Sequence, residues 1–239
     1  MSKYLSEDSI KDFASSAYSK QNIAVVANGA KQADLTKWVG EFFGDGPSSS
    51  KSDLRTETSM YYGGEERIPH NGGNALVIAF PGSSSFAAGG SYKPDISVLS
   101  ALLGGKSSIK WSPGFSLLSK AASLYPGASI ATSNLSYSDA GLLAIQFSGS
   151  AKAIRDAATE AVKSLKCVSE GTISKEDFTK AVALAKFRVL EESQTFDAGL
   201  ASTGSGLVHE GKPFQIGEIS NRIESVTTEK LKSVSANFF

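Results

Sequence analysis

The chain has 239 residues, 41% of them apolar, enough to bury an ordinary core in one large domain or in one domain plus a piece of another. Lys plus Arg balances Asp plus Glu at 24 each, and no like-charge run is long enough for a nucleic-acid arm or a polybasic membrane patch, so nucleic acid is not expected as a partner. The single cysteine, Cys167, excludes an intrachain disulfide and thiolate-built metal sites, and suits a reducing compartment.

Met1 precedes an acidic helix start, Ser6-Glu7-Asp8, and not an Arg-rich leader, which suggests a cytosolic protein or an internal segment behind a start codon. Ser6 can cap a helix in which Ile10, Phe13, Ala14 and Ala17 recur at helical spacing, so a helix is expected over Ser6–Ser19. The short β-branched run Ile23–Ala27 reads as a strand ending at Asn28-Gly29, and Ala33, Leu35, Trp38, Val39 and Phe42 form an amphipathic stripe after it. Between Gly44 and Ser52 the sequence GDGPSSSKS has nothing to bury, which places a domain boundary near residue 50.

Two hairpins are expected next. Met60–Pro69 and Asn74–Phe80 flank His70-Asn71-Gly72-Gly73, whose Asn-Gly pair tolerates a tight turn; Ser129–Tyr137 and Leu142–Ser148 flank Ser138-Asp139-Ala140-Gly141. Two helical stripes follow, one through Ile154, Ala157, Ala158, Ala161, Val162, Leu165 and Val168, the other through Phe178, Ala181, Val182, Ala185 and Val189. Each is expected to lie on the sheet. Strands in hairpins and helices in a block predict an α+β fold, a mainly antiparallel sheet with helices packed on one side, and exclude a doubly wound nucleotide fold. The longest apolar stretches, such as Ala75–Phe80 and Val98–Leu103, fall far short of the roughly 20 residues of a spanning helix.

A weak internal repeat relates SEDSIKDFASSAYS to TTEKLKSVSANFF: aligning Ile10 with Leu231 places Lys11 on Lys232, Phe13 on Val234 and Tyr18 on Phe239. The first copy runs on into Ile23–Ala27, whereas the sequence stops after the second.

Catalytic chemistry is not evident. His70 and His209 stand alone, without a second His or a Glu at helical spacing, so no zincin or inverted zincin motif occurs and both read as solvated structural residues. Leu103-Gly104-Gly105-Lys106-Ser107-Ser108 has Ser100 where a phosphate loop needs its first glycine, and a helix where it needs a strand. Gly82-Ser83-Ser84-Ser85 and Gly204-Ser205-Gly206 lack the nucleophile elbow. Glu65-Glu66 and Glu191-Glu192 read as solvated acids, and Cys167, beside Lys166, as a half-buried helix filler. No catalytic, cofactor-binding or metal residue is assigned.

The order of pieces is nonetheless distinctive. Tyr62-Gly63-Gly64-Glu65-Glu66-Arg67, Ala75–Phe80, Val98 to Gly105, Ser116-Leu117-Leu118, Ser136-Tyr137-Ser138-Asp139-Ala140-Gly141-Leu142, and Ala183-Leu184-Ala185-Lys186 with Glu191-Glu192 after it together resemble the second lobe of the pitrilysin and insulinase family of zinc peptidases. The resemblance covers the chain from about residue 56 onward. Residues 1 to about 45 resemble only the closing helix, strand and helix of the first lobe, where that family carries its inverted zinc motif.

Within the family the ordered set is most similar to the non-catalytic core subunits of mitochondrial respiratory complex III, ubiquinol–cytochrome c reductase. That resemblance implies residues 1–50 closing a preceding lobe plus linker, and 51–239 a peptidase-like lobe without its final strand, a slot that Ile23–Ala27 is expected to fill within one chain or between two. It further implies a structural subunit on the matrix side of the inner membrane with no bound metal, haem or quinone, contacting core protein 1 and other complex III subunits, and self-association of the chain as it stands. Two alternatives remain: the non-catalytic α subunit of the mitochondrial processing peptidase, whose loop after the Leu-Gly-Gly turn is long and glycine-rich where Lys106–Phe115 here has only Gly114, and the second lobe of an active zinc peptidase.

Overall fold

The computed structural model describes residues 5–46, 57–88, 91–105 and 114–238. Helices α1 (Glu7–Ala17) and α2 (Gln32–Phe43) precede strand β1 (Asn74–Pro81), helices α3 (Pro94–Leu103) and α4 (Leu117–Leu124), and the hairpin β2 (Ala128–Ser136) and β3 (Gly141–Gly149). Five helices follow: α5 (Ala151–Glu170), α6 (Lys175–Glu192), α7 (Phe196–Glu210), α8 (Ile216–Glu224) and α9 (Thr228–Ala236). They make two compact units, one of α1, α2 and α7, the other of the three strands with α3–α6, α8 and α9. The expected boundary near residue 50 falls outside the described residues, and the placing of Gln194–Phe214 with the N-terminal unit has no counterpart in the sequence reading.

Local chemistry sets the helix starts. Ser6, Ser116, Ser150, Ser174, Thr195 and Thr227 each accept the amide three residues on, closing one of the free N–H groups of a first turn. Pro94 opens α3 at the position where a missing N–H costs nothing. Gly171 ends α5 in the left-handed region at φ 82°, its N–H and that of Thr172 returning to the last carbonyls.

The sheet is antiparallel throughout, in the order β1-β3-β2. Period-two alternation puts Leu143, Ile145 and Phe147 of β3 on the same face as Ile130 of β2, all buried. Against that face lie α3, with Val98, Leu99 and Leu102 inaccessible, and α5, with Ile154, Ala157, Ala161, Leu165 and Val168 at its expected stripe positions. The helices thus cover one side, as the α+β reading requires.

Three expectations need correction. Met60–Pro69 forms no strand, so the His70–Gly73 hairpin does not close; the Asn-Gly signal permits a turn but does not by itself supply a paired ladder. Ile23–Ala27 forms no strand and is not among the paired strands of the sheet, so the expected strand is not found there; β-branching suits a pleated surface but supplies no partner edge. Helix α6 uses its apolar face mainly on α3 and α8 and not on the sheet, because α3 already occupies the space between.

Candidate interaction surface

At one end of the sheet, side chains distant in sequence are locked together. The Asn134 amide accepts from Ser83 N at 2.9 Å and donates to Ser83 O at 3.1 Å, while Lys93 N donates to Ser83 Oγ at 2.8 Å. Ser91 Oγ bridges Ser84 Oγ and the Asp139 carbonyl, at 3.0 and 3.1 Å. Glycines make this approach possible: a Cβ on Gly141 would sit 2.0 Å from Ser83 O, and one on Gly82 would sit 2.7 Å from Leu143 N. Arg222 completes the corner, its guanidinium 5.5 Å from the Phe86 ring and 5.3 Å from the Tyr92 ring, with Nη2 on the Tyr92 carbonyl. Burial raises the Tyr92 phenol pKa, against the lowering pull of Ser97 and Arg222.

The Asp139 carboxylate accepts Ser59 N at 2.7 Å and Ser59 Oγ at 3.2 Å, tying residue 59 to the hairpin turn 80 residues away. The Ser59 backbone bond holds the Asp139 pKa below the usual Asp value. Two residues on, Tyr61 Oη donates to the Ala79 carbonyl at 2.9 Å.

That last bond identifies the outer edge of β1. Gly82 N bonds to Gly141 O, so by alternation Phe80, Ile78 and Leu76 bond toward β3, and Ala75, Val77 and Ala79 turn their backbone groups outward. Pro81, which has no N–H to offer, stands on the outward side, where a strand tolerates proline. The β2–β3 ladder has the opposite phase: Tyr137 N bonds to Ala140 O, which turns Ile130 outward on β2. There Gly105 covers it so closely that a Cβ would lie 2.3 Å from Ile130 O.

The two edges therefore differ. The β2 edge is shielded by backbone at Gly105, whereas β1 meets, among the described residues, the Tyr61 hydroxyl at Ala79 and carries no charged residue from Asn74 to Pro81. Along it runs an open apolar groove lined by Ala75 and Leu76 and by Ile154, Arg155, Ala158 and Val162 of α5. Val77, 56% exposed, and Leu135, 43% exposed, stand on the uncovered sheet face.

The residues weighed for chemistry lie apart from this surface and from one another. His70 Nδ1 accepts Gly72 N within its own turn, and His209 sits in the last turn of α7. Cys167 is exposed, not a half-buried filler: the buried phase of α5 runs through Leu165 and Val168 and leaves position 167 outside it. Ser83 and Ser84 are buried and hydrogen-bonded, so the serine loop is an anchor. No cluster of three His, Cys, Asp or Glu able to hold a metal, and no helix long and apolar enough to cross a membrane, occurs among the described residues. This network holds segments together; nothing in it pairs a nucleophile with a base.

Residues 4–184 match the family described as the peptidase M16 inactive domain. The chain belongs to that family. As an M16 inactive domain it is 52% identical, over 98% of its length, to the cytochrome b-c1 complex subunit 2, mitochondrial, of Neurospora crassa, covering 51% of that protein. It is 26% identical to the mitochondrial-processing peptidase subunit alpha-2 of Dictyostelium discoideum, over 97% of its length and 52% of that protein. Its fold matches a chain of complex III2 from Candida albicans, Inz-5 bound, with a TM-score of 0.71 at 16% identity, over 87% of this chain and 50% of the other. The chain thus spans about half the length of the curated relatives it matches.

Proposed function

We propose that this M16 inactive domain serves as the second lobe of a structural, non-catalytic core subunit 2 of mitochondrial complex III. On this reading the subunit sits on the matrix side of the inner membrane and supports assembly of the ubiquinol–cytochrome c reductase. The observation that carries it is the 52% identity to the Neurospora crassa subunit across nearly the whole chain. The 26% identity to a processing-peptidase subunit makes that assignment the weaker alternative.

The lobe division follows. Residues 1–50 close a preceding lobe and lead into the linker, and 51–239 form the second, peptidase-like lobe. Support comes from the separate compact unit that holds α1 and α2, apart from the strands. In the whole subunit, core protein 1 and other complex III subunits are the partners. The chain by itself, with apolar groups exposed on sheet and helices, self-associates.

The test is affinity capture of the tagged full-length protein from detergent-solubilised mitochondria. Cytochrome b and cytochrome c1 should come with it. Capture of a soluble zinc peptidase subunit in their place would transfer the assignment to the processing enzyme.

A further inference from the structure

One of the chain's two histidines directly precedes one of its two Asn-Gly dipeptides: His70 stands before Asn71-Gly72, whereas Ala27 stands before Asn28-Gly29. Both dipeptides are exposed and lie in bends outside helix and strand. An asparagine followed by glycine is where a backbone nitrogen most readily attacks the side-chain amide before it, because glycine has no Cβ to obstruct ring closure. The remaining barrier is the proton, since an amide nitrogen attacks only as its N–H is lost. At Gly72 that proton is already directed at a base: Gly72 N donates to His70 Nδ1 at 2.9 Å. An Nδ1 that accepts is the bare nitrogen of a neutral imidazole, within the hydrogen-bond reach that a general base needs.

We infer that Asn71 is a self-modification site, at which His70 acts as the base for cyclisation of the Asn71 side chain onto Gly72 N, yielding aspartate and isoaspartate. The Gly72 amide proton passes to His70 Nδ1, and Gly72 N bonds to Asn71 Cγ. The Cγ–Nδ2 bond then breaks, and the side-chain nitrogen takes up a proton and leaves as ammonia. Water opens the resulting five-membered imide at either carbonyl, to aspartate or to isoaspartate. The net change takes in one water, releases one ammonia and turns a neutral side chain into a carboxylate, with no oxidant or reductant.

The surroundings suit the closure. Among the described residues the Asn71 side chain has no hydrogen-bond partner to hold it away from Gly72. The β1–β3 ladder begins only at Asn74↔Gly149, so strand pairing does not fix positions 71 and 72. Gly72 is also needed for the contact with the base, because a Cβ there would run into the His70 ring. The product adds a negative charge to a chain whose charges otherwise balance and, as isoaspartate, one carbon to the main chain just ahead of β1.

The experiment is incubation of the purified protein at neutral pH, with peptide mass spectrometry following the gain of about one dalton at Asn71 and at Asn28. In the folded protein Asn71 should convert faster than Asn28 by about tenfold or more, and in concentrated urea the two rates should converge. His70→Gln keeps an acceptor for Gly72 N without a base, and His70→Ala keeps neither; each should bring Asn71 down toward the rate of Asn28 and leave Asn28 unchanged. Circular dichroism verifies that the variants fold. An Asn71 that converts no faster than Asn28 in the wild type overturns the inference. So does a His70→Ala variant that reacts as fast as the wild type or faster, because the histidine would then be restraining the amide and not activating it. A difference between the two sites that persists undiminished in urea also overturns it, since the rate would then belong to the local sequence and not to the folded geometry.

Discussion

Leu231 on α9 and Ile10 on α1 occupy the same position of the internal repeat, yet Leu231 is 0% exposed and Ile10 is 57% exposed. Truncation to alanine should separate them. Leu231→Ala removes a fully buried side chain from a site enclosed by α5 and α3, and such deletions cost about 2–5 kcal/mol, combining lost transfer energy with the cavity left behind. Ile10→Ala removes a side chain already largely in water and should cost under about 1 kcal/mol, since alanine is also the better helix former. Against a total stability of roughly 5–15 kcal/mol the first change is severe and the second mild. Urea titration followed by circular dichroism measures both, Leu231→Ala in the transition of the sheet-bearing unit and Ile10→Ala in that of the unit that holds α1. A slope of about 2 kcal/mol per molar urea turns the Leu231 cost into a midpoint shift of about 1–2.5 M. Equal shifts for the two variants, or a Leu231 shift as small as that predicted for Ile10, would refute the claim that only the second repeat copy is a core element.

Gly141→Ala should destabilise the sheet-bearing unit by several times the cost of an ordinary surface change, because its Cβ would meet Ser83 backbone at 2.0 Å; a midpoint unchanged in urea would mean the two segments can separate freely. The Asp139 carboxyl has a folded pKa below its unfolded value, so its tie to Ser59 is complete above about pH 4 and is lost as pH falls through the folded pKa; carbon-detected NMR titration should place Asp139 below an ordinary aspartate, and Ser59→Pro should return it toward normal. Cys167, exposed on α5, should react with a thiol reagent in the native protein without prior unfolding, at the stoichiometry of one thiol per chain.

What the sequence made legible was local. Ser6 as a cap, the Ser138–Gly141 turn and the α5 stripe all depend on residues within a few positions of one another, and each is found where its chemistry put it. What it hid was non-local. Asn134 and Ser83 lie 51 residues apart, and neither carries a signal that the other exists; the serine loop reads as filler until the fold brings the amide to it. The same limit covers the hairpin that does not form, since Asn71-Gly72 permits a turn but does not make Met60–Pro69 a strand. Cys167 is the exception, a misreading the sequence could have prevented, because the stripe through Leu165 and Val168 already excluded it.

The repeat makes the same distinction physical. Ser6 accepts Ser9 N and Thr227 accepts Lys230 N, so equivalent residues form equivalent caps in both copies. Helix starts are therefore fixed by the repeated local code, and burial is not: α9 lies against α5 and α3, and α1 leaves Ile10 and Phe13 in solvent. A helix whose cap and length are correct but whose apolar stripe is uncovered gains little from packing, the main source of helix stability in proteins. An amphipathic helix with its stripe exposed has the character of an interface awaiting the rest of its assembly.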